Sequence, residues 1–231
     1  PATSALLARA GVSGYVAQNE LYAALRQCDQ EQVPGLVLDM GARVSDSLLH
    51  LTLAPESPTL GVPDWSLNTD NFIDYYFDGR LAADVLLRHD IQSFSLRSGA
   101  NPGVDTIYLD IENLRLAPIL QTLPGTPPVS ALLSTALSTD FSGDYPVVGG
   151  TVRLDSTLYD GRWVGNMALA LDYRQLSSTL MQAGATLAVD TLDAIDLSLR
   201  YDTDTLSAEP LDLKVGFPAF PLSVANAFLP D

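Results

Sequence analysis

The sequence predicts an all-β fold, mostly antiparallel, dominated by one large sheet that is apolar on one side and acidic on the other. Apolar residues fall at every second position in run after run, the period of an extended chain whose side chains alternate faces. From Tyr15 onward, Gly, Pro, Asn and Asp interrupt these runs every 8 to 14 residues, the spacing of an antiparallel meander and not of βαβ units. A chain of 231 residues can form such a sheet as a single unit.

Taken in order, the stretch "ATSALLARAG" fits a short helix with Leu6 and Leu7 inward, or a frayed strand. Strands are predicted over 12–18, 20–28, 34–43, 47–54, 80–89, 91–98, 105–116, 131–142, 148–159, 163–175, 178–189, 192–202 and 208–217. In "DTIYLDIENLRL", Ile107, Leu109 and Ile111 point one way and Tyr108, Asp110 and Glu112 the other. "TVRLDSTLYDG" sets Val152, Leu154, Ser156 and Leu158 against Arg153, Asp155, Thr157 and Tyr159. "AIDLSLRYD" sets Ile195, Leu197, Leu199 and Tyr201 against Asp196, Ser198 and Arg200. Asp78–Gly79 and Asp160–Gly161 are hairpin signals, because Gly accepts the positive φ of a tight turn.

Two stretches break the strand pattern. "APILQTLPGTPPVS" opens with a helical turn at 117–123, and Pro124, Gly125, Pro127 and Pro128 then take the chain out of the sheet, since proline supplies no ladder amide. "PAFPLSVANAFLP" behaves alike, with a short helical turn at 221–228. Their echo points to modules that break near 117–130 and 218–231, repeating at roughly 100 residues. "PATSALL" and "ANAFLPD" read as cuts within a longer protein, so that 1–231 is one fragment of a repetitive chain. The region 55–79 holds turns and the aromatics Trp65, Phe72, Tyr75, Tyr76 and Phe77, which either stack against a sugar or base or cover the open end of the sheet.

Charge narrows the partners. Twenty-eight acids, twenty-three of them Asp, face twelve bases, of which Lys214 is the single lysine, for a net charge of −16. Like charge disfavours nucleic acid or an anionic membrane surface against the acidic face. The acids do not fall at the spacing of a calcium loop, and Cys28 alone makes neither a disulfide nor a zinc site. No apolar stretch approaches the 20 residues or so of a membrane-spanning helix.

Nor is there a constellation for catalysis. His50 and His89 lack a second imidazole at ligand spacing, and no nucleophile elbow, phosphate loop or dinucleotide fingerprint occurs. Asp110, Asp155, Asp172 and Asp196 occupy the polar positions of alternating strands, where solvation accounts for them. We expect no enzyme, no catalytic residue, no metal and no cofactor.

The order of elements carries a resemblance. "SDSLLHLTLAP", then "WSLNTDNFIDY" with its W-x-L-N-x-D-N phrase, then "GRLAADVLLRHDIQSFSLRSG" are followed by "LDIENLRLAPILQTLPGTPPVSALLSTALSTD", "LDSTLYDGRWVGNMALALDYR" and "LDLKVGFPAFPLSVANAFLPD". This succession resembles the periplasmic repeats of the TamB family of translocation and assembly module subunits, within the wider AsmA-like group. The resemblance covers most of the chain, least before residue 34, and rests on the ordered set of phrases. It implies a sheet curled across its strands into an open, apolar-lined trough, the β-taco, in the periplasm of a Gram-negative bacterium. It further implies an inner-membrane anchor elsewhere in the full-length protein, phospholipid as cargo between the two membranes, and an outer-membrane assembly protein of the barrel type as partner. The stretch holds neither the family's amino-terminal anchor nor its carboxy-terminal domain.

About thirteen strands at ~4.8 Å spacing would make a lining on the order of 60 Å long. Candidate lining residues are Leu36, Leu38, Met40, Leu49, Leu51, Leu53, Ile107, Leu109, Ile111, Val152, Leu154, Leu158, Met167, Leu169, Leu171, Ile195, Leu197, Leu199, Leu211, Leu213 and Val215. The alternative for all of them is an ordinary dry core. The rival function is a scaffold or chaperone that offers sheet edges to unfolded outer-membrane strands, and a bare edge would also allow an edge-to-edge homodimer. Carbohydrate binding through the 65–77 aromatics would need several of those rings exposed and coplanar.

Overall fold

The computed structural model describes residues 10–17, 20–28, 34–55, 58–99, 105–121, 128–204 and 210–219, together with residue 224. Among these residues the chain forms sixteen strands and one short helix. The strands are β1 (Ala10–Ala17), β2 (Glu20–Cys28), β3 (Pro34–Val44), β4 (Leu48–Leu53), β5 (Thr59–Leu60), β6 (Ser66–Leu67), β7 (Phe72–Tyr76) and β8 (Leu81–His89). They continue with β9 (Gln92–Ser98), β10 (Thr106–Arg115), β11 (Val129–Asp140), β12 (Val147–Tyr159), β13 (Arg162–Gln175), β14 (Leu180–Val189), β15 (Leu192–Asp202) and β16 (Leu211–Gly216). The helix α1 (Leu116–Leu120) follows β10 directly.

All sixteen strands belong to one antiparallel sheet in the order β1-β2-β3-β4-β7-β8-β9-β10-β11-β12-β13-β14-β15-β16, with β5 added to β3 and β6 to β8. The first and last strands do not meet, so the sheet is open and not a barrel. Each predicted strand has a counterpart. β5, β6 and β7 are additional, and arise in the turn-rich 55–79 region. The predicted helical turn at 117–123 is α1, shifted by one residue at its start. The turn predicted at 221–228 and the residues before position 10 lie outside the described residues, Val224 apart.

The registers align the apolar positions into rows that cross the whole sheet. One runs Val16, Leu21, Ala42, Leu51, Ile73 and Ala83, then Ser98, Ile107, Thr139, Val148, Tyr173, Ala183, Leu199 and Leu213. The next runs Val85, Leu96, Leu109, Leu137, Gly150, Leu171, Ala185, Leu197 and Val215. Residues one position away, such as Asp84, Arg97, Tyr108 and Asp172, fall on the other face because the side-chain period is two. The acidic face is laced with surface ion pairs, Arg97 to Asp110 at 3.1 Å and Arg26 to Asp39 at 2.6 Å among them.

Bulges interrupt these rows near one rim. Ser156 takes a left-handed φ of 55° where the register shifts between Leu154 and Thr157. The extra residue moves the strand out of phase: Thr157 becomes buried beside the buried Ala131, and Leu158 pairs with Ser130 on the opposite face. The alternation predicted for "TVRLDSTLYDG" therefore holds only up to Leu154. Gly150, at φ 144°, sits where the strands approach so closely that a Cβ would lie 2.0 Å from the Ala136 carbonyl oxygen.

Candidate functional site

The apolar face carries the candidate site, and its two regions are finished differently. Between β3 and β10 part of the face is covered. β4 and β7 are short, and the segment joining them fills the gap: Leu60 pairs with Leu36, Gly61 N–H donates to the Gly35 carbonyl at 2.7 Å, and Leu67 pairs with Leu87. This path drives Trp65 onto the apolar side, where it is 2% exposed and packs with Leu87, Ile111 and Leu114. The Trp65 Nε1–H donates to the Leu60 carbonyl at 3.2 Å, so the indole's one polar group is satisfied in burial. α1 then returns across the same side and touches both β11 and β3. A Cβ on Gly61 would stand 2.7 Å from Ile119 Cγ1, which fixes a glycine at this crossing, all the more at its φ of 73°.

Under this cover lies a cavity of about 220 Å3 lined by Leu38, Leu53, Pro58, Leu60, Trp65, Ile73, Val85, Leu87, Phe94 and Leu96. Side chains from β3 and from β9 reach the same space, although three strands separate them in the sheet.

Among the described residues, β12 to β16 make their main contacts with neighbouring strands, and on this stretch only residues near one rim, among them Thr157, Val164, Val189 and Ala194, are fully buried. Leu169, Leu171, Ile195, Leu197 and Leu199 are half-buried. On the edge strand β16, Leu211, Leu213 and Val215 are 58%, 53% and 46% exposed. At the opposite edge Val12 and Val16 of β1 are also exposed.

The structure brings twenty of the twenty-one predicted lining residues to one face. Leu36, Leu38, Met40, Leu49, Leu51, Leu53, Ile107, Leu109 and Ile111 lie in the β3–β10 region. Val152, Leu154, Met167, Leu169, Leu171, Ile195, Leu197, Leu199, Leu211, Leu213 and Val215 lie beyond it. Leu158 is the exception, displaced by the Ser156 bulge to the other face. Of the two roles open to the 65–77 aromatics, the burial of Trp65 gives it the covering one.

The aromatics of 65–77 do not form a platform. Phe72 and Tyr76 share the polar face of β7, Tyr75 takes the apolar face, and Trp65 is buried, so a coplanar exposed set is absent among them. Phe72 instead stacks on His50 at 6.5 Å, and the Arg80 guanidinium sits 4.6 Å from the Tyr76 ring.

The polar face carries two open hollows of about 670 and 660 Å3. The first contains a charge row across β2, β3, β4 and β7: Glu20 pairs with Arg43, and His50 Nδ1 lies 2.5 Å from Asp74 Oδ1. In the same hollow the Arg26 guanidinium, donating to Asp39, holds that carboxyl below the usual carboxylate range. Arg26 with Asp39 and Arg43 with Glu20 join opposite charges, and His50 shares a hydrogen bond with Asp74. Among the described residues no group of three or more His, Cys, Asp or Glu converges as metal ligands would, and no helix is long and apolar enough to cross a membrane. Comparison with known protein families, curated proteins and solved structures finds no match to this chain.

Proposed function

We propose that this chain is a segment of a periplasmic lipid conduit, which shields phospholipid acyl chains in its apolar trough between the inner and outer membranes and so serves outer-membrane biogenesis. The observation that carries the reading is the apolar face of β12 to β16, where away from the rim at Val164 and Val189 the rows of Leu, Ile, Val and Met stay half-buried or exposed and no described element packs over them. Acyl chains would supply that partner at about 0.8 kcal/mol per buried methylene. The ordered phrases that resemble the TamB family add weight to it, and the proposal extends to that family's setting: an inner-membrane anchor outside this stretch and a barrel-type outer-membrane assembly partner. No catalytic residue, cofactor or nucleic-acid contact enters the proposal. The test is mass spectrometry of an organic extract of the purified protein: phospholipid should be present, and its absence would sink the conduit.

A second reading has its own support. Among the described residues, both β1 and β16 leave a row of backbone donors and acceptors without a neighbouring strand. Such edges suit a scaffold that receives unfolded outer-membrane strands, or a second copy of this chain in an edge-to-edge dimer. Photo-crosslinkers placed at Ser13 and Lys214 should trap unfolded barrel strands or a second copy if the edges are used; a monomer that captures neither leaves the trough as the working surface.

A further inference from the structure

We propose that Asp160 is a site of covalent self-modification, at which the hairpin between β12 and β13 converts its aspartate to isoaspartate. The Gly161 backbone nitrogen attacks Cγ of the protonated Asp160 carboxyl, the hydroxyl leaves with the amide proton as water, and a cyclic succinimide closes. Water then adds back at a ring carbonyl. Opening at the former main-chain carbonyl leaves that carbon as a free carboxylate and routes the chain through the side chain. One water is lost and one regained, and nothing is oxidised or reduced.

Three hairpins hold an exposed Asp in the left-handed region: Asp90 at φ 54°, Asp160 at φ 49° and Asp190 at φ 52°. The next residue separates them. Ile91 and Thr191 bring a branched Cβ beside the nitrogen that must attack, whereas Gly161 brings none. The carboxylates differ as well. Asp190 Oδ1 accepts from the Asn166 N–H at 2.9 Å, and Asp90 Oδ2 lies 3.9 Å from the Arg115 guanidinium. The exposed Asp160 carboxylate and the Gly161 N–H have no hydrogen-bond or ion-pair partner among the described residues.

A sequence-matched control lies in the same chain. Phe77-Asp78-Gly79-Arg80 repeats the aromatic-Asp-Gly-Arg order of Tyr159-Asp160-Gly161-Arg162, yet its reacting groups are tied. The Gly79 N–H donates to the Tyr76 carbonyl at 2.9 Å, and Asp78 accepts from the Arg80 backbone N–H at 3.2 Å and from Arg80 Nε at 3.0 Å. Arg80 thereby holds the Asp78 carboxyl below the usual carboxylate range, away from the protonated form that releases water. At Asp160 the reaction lengthens the main chain of a two-residue turn. Leu158 pairs with Trp163 and Tyr159 with Arg162 beside it, and the Asp160 N–H donates to the Pro128 carbonyl at 2.8 Å, so isoaspartate loosens this rim of β11–β13.

The two matched tetrapeptides make the test. Folded protein is held for weeks at neutral pH beside a sample kept unfolded in guanidinium chloride. Isoaspartate is then mapped by resistance to an Asp-directed endoproteinase and by labelling with an isoaspartyl methyltransferase. In the unfolded sample Asp78 and Asp160 should react alike, since only the local sequence then matters. In the folded sample isoaspartate should build up several-fold faster at Asp160 than at Asp78, with none at Asp90 or Asp190. Asp160→Gly keeps the turn, because glycine takes a positive φ freely, and should clear the signal from this peptide. Equal rates at Asp78 and Asp160 in the folded protein, a preference already present in the unfolded chain, or isoaspartate at Asp160 in the unfolded sample alone would overturn the site.

Discussion

Strands β8 and β15 contribute to the same apolar rows, yet Ala83 and Val85 are buried while Leu197 and Leu199 remain half-covered. The strands themselves do not account for the difference: both alternate, both pair on two sides, and the β15 residues are the larger. What differs is whether a third element arrives. The 58–67 segment and α1 converge over β3–β10, and nothing among the described residues does so over β12–β16. Burial here is decided by what the connections between strands do, because a single-layer sheet can bury only one side of each row by its own curvature.

That contrast can be broken by experiment. The largest expected effect comes from a charge placed at matched points of one row. Val85→Asp buries an unpaired carboxylate and should cost several kcal/mol, enough to prevent cooperative folding, whereas Leu197→Asp should fold with a loss of about 1 kcal/mol. Urea unfolding of the two variants measures it, and similar losses would mean that the β12–β16 face is covered after all.

The next effect sharpens the cause. Trp65→Ala removes the anchor of the cover and should cost about 3–5 kcal/mol, the range for deleting a buried aromatic. Hydrogen exchange should then accelerate in β3–β10 and stay unchanged in β13–β15, as separate local units predict. A uniform rise across all strands would show the two regions to be one cooperative body.

The smallest effect belongs to the acidic face. Asp39→Asn deletes a half-exposed ion pair and should cost about 0.2–1 kcal/mol. The folded-state carboxyl of Asp39 lies below its ordinary range because Arg26 donates to it. The pair's contribution is therefore full above the unfolded carboxylate value of ~3.9 and fades as pH falls through the lower folded value. A denaturation series in acid should show the wild-type advantage over Asp39→Asn disappear below that window; an advantage that grows in acid would contradict the assignment.

Much of the fold could be read from alternation because a strand's two faces are a local property: Ile107, Leu109 and Ile111 needed only their own neighbours to be placed. β7 escaped that reading, since "FIDYY" lies among turn residues and its aromatics fall on both faces. Leu158 was misplaced because a bulge is a one-residue insertion, and Ser156, a residue without a strong left-handed preference, carries it. The Asp160–Gly161 turn was recoverable because its chemistry is written in the two residues that take positive φ, 49° and 75°.

The cavity and its cover could not be read this way. Trp65 clusters with Leu87, Ile111 and Leu114 across distances in sequence that no window of alternation spans. By itself the amino-acid sequence determined an open set of antiparallel strands with one apolar and one acidic face, since a period of two is set by backbone geometry. Only the tertiary structure decided which stretch of that apolar face is sealed, because sealing depends on where a loop and a five-residue helix return over the sheet.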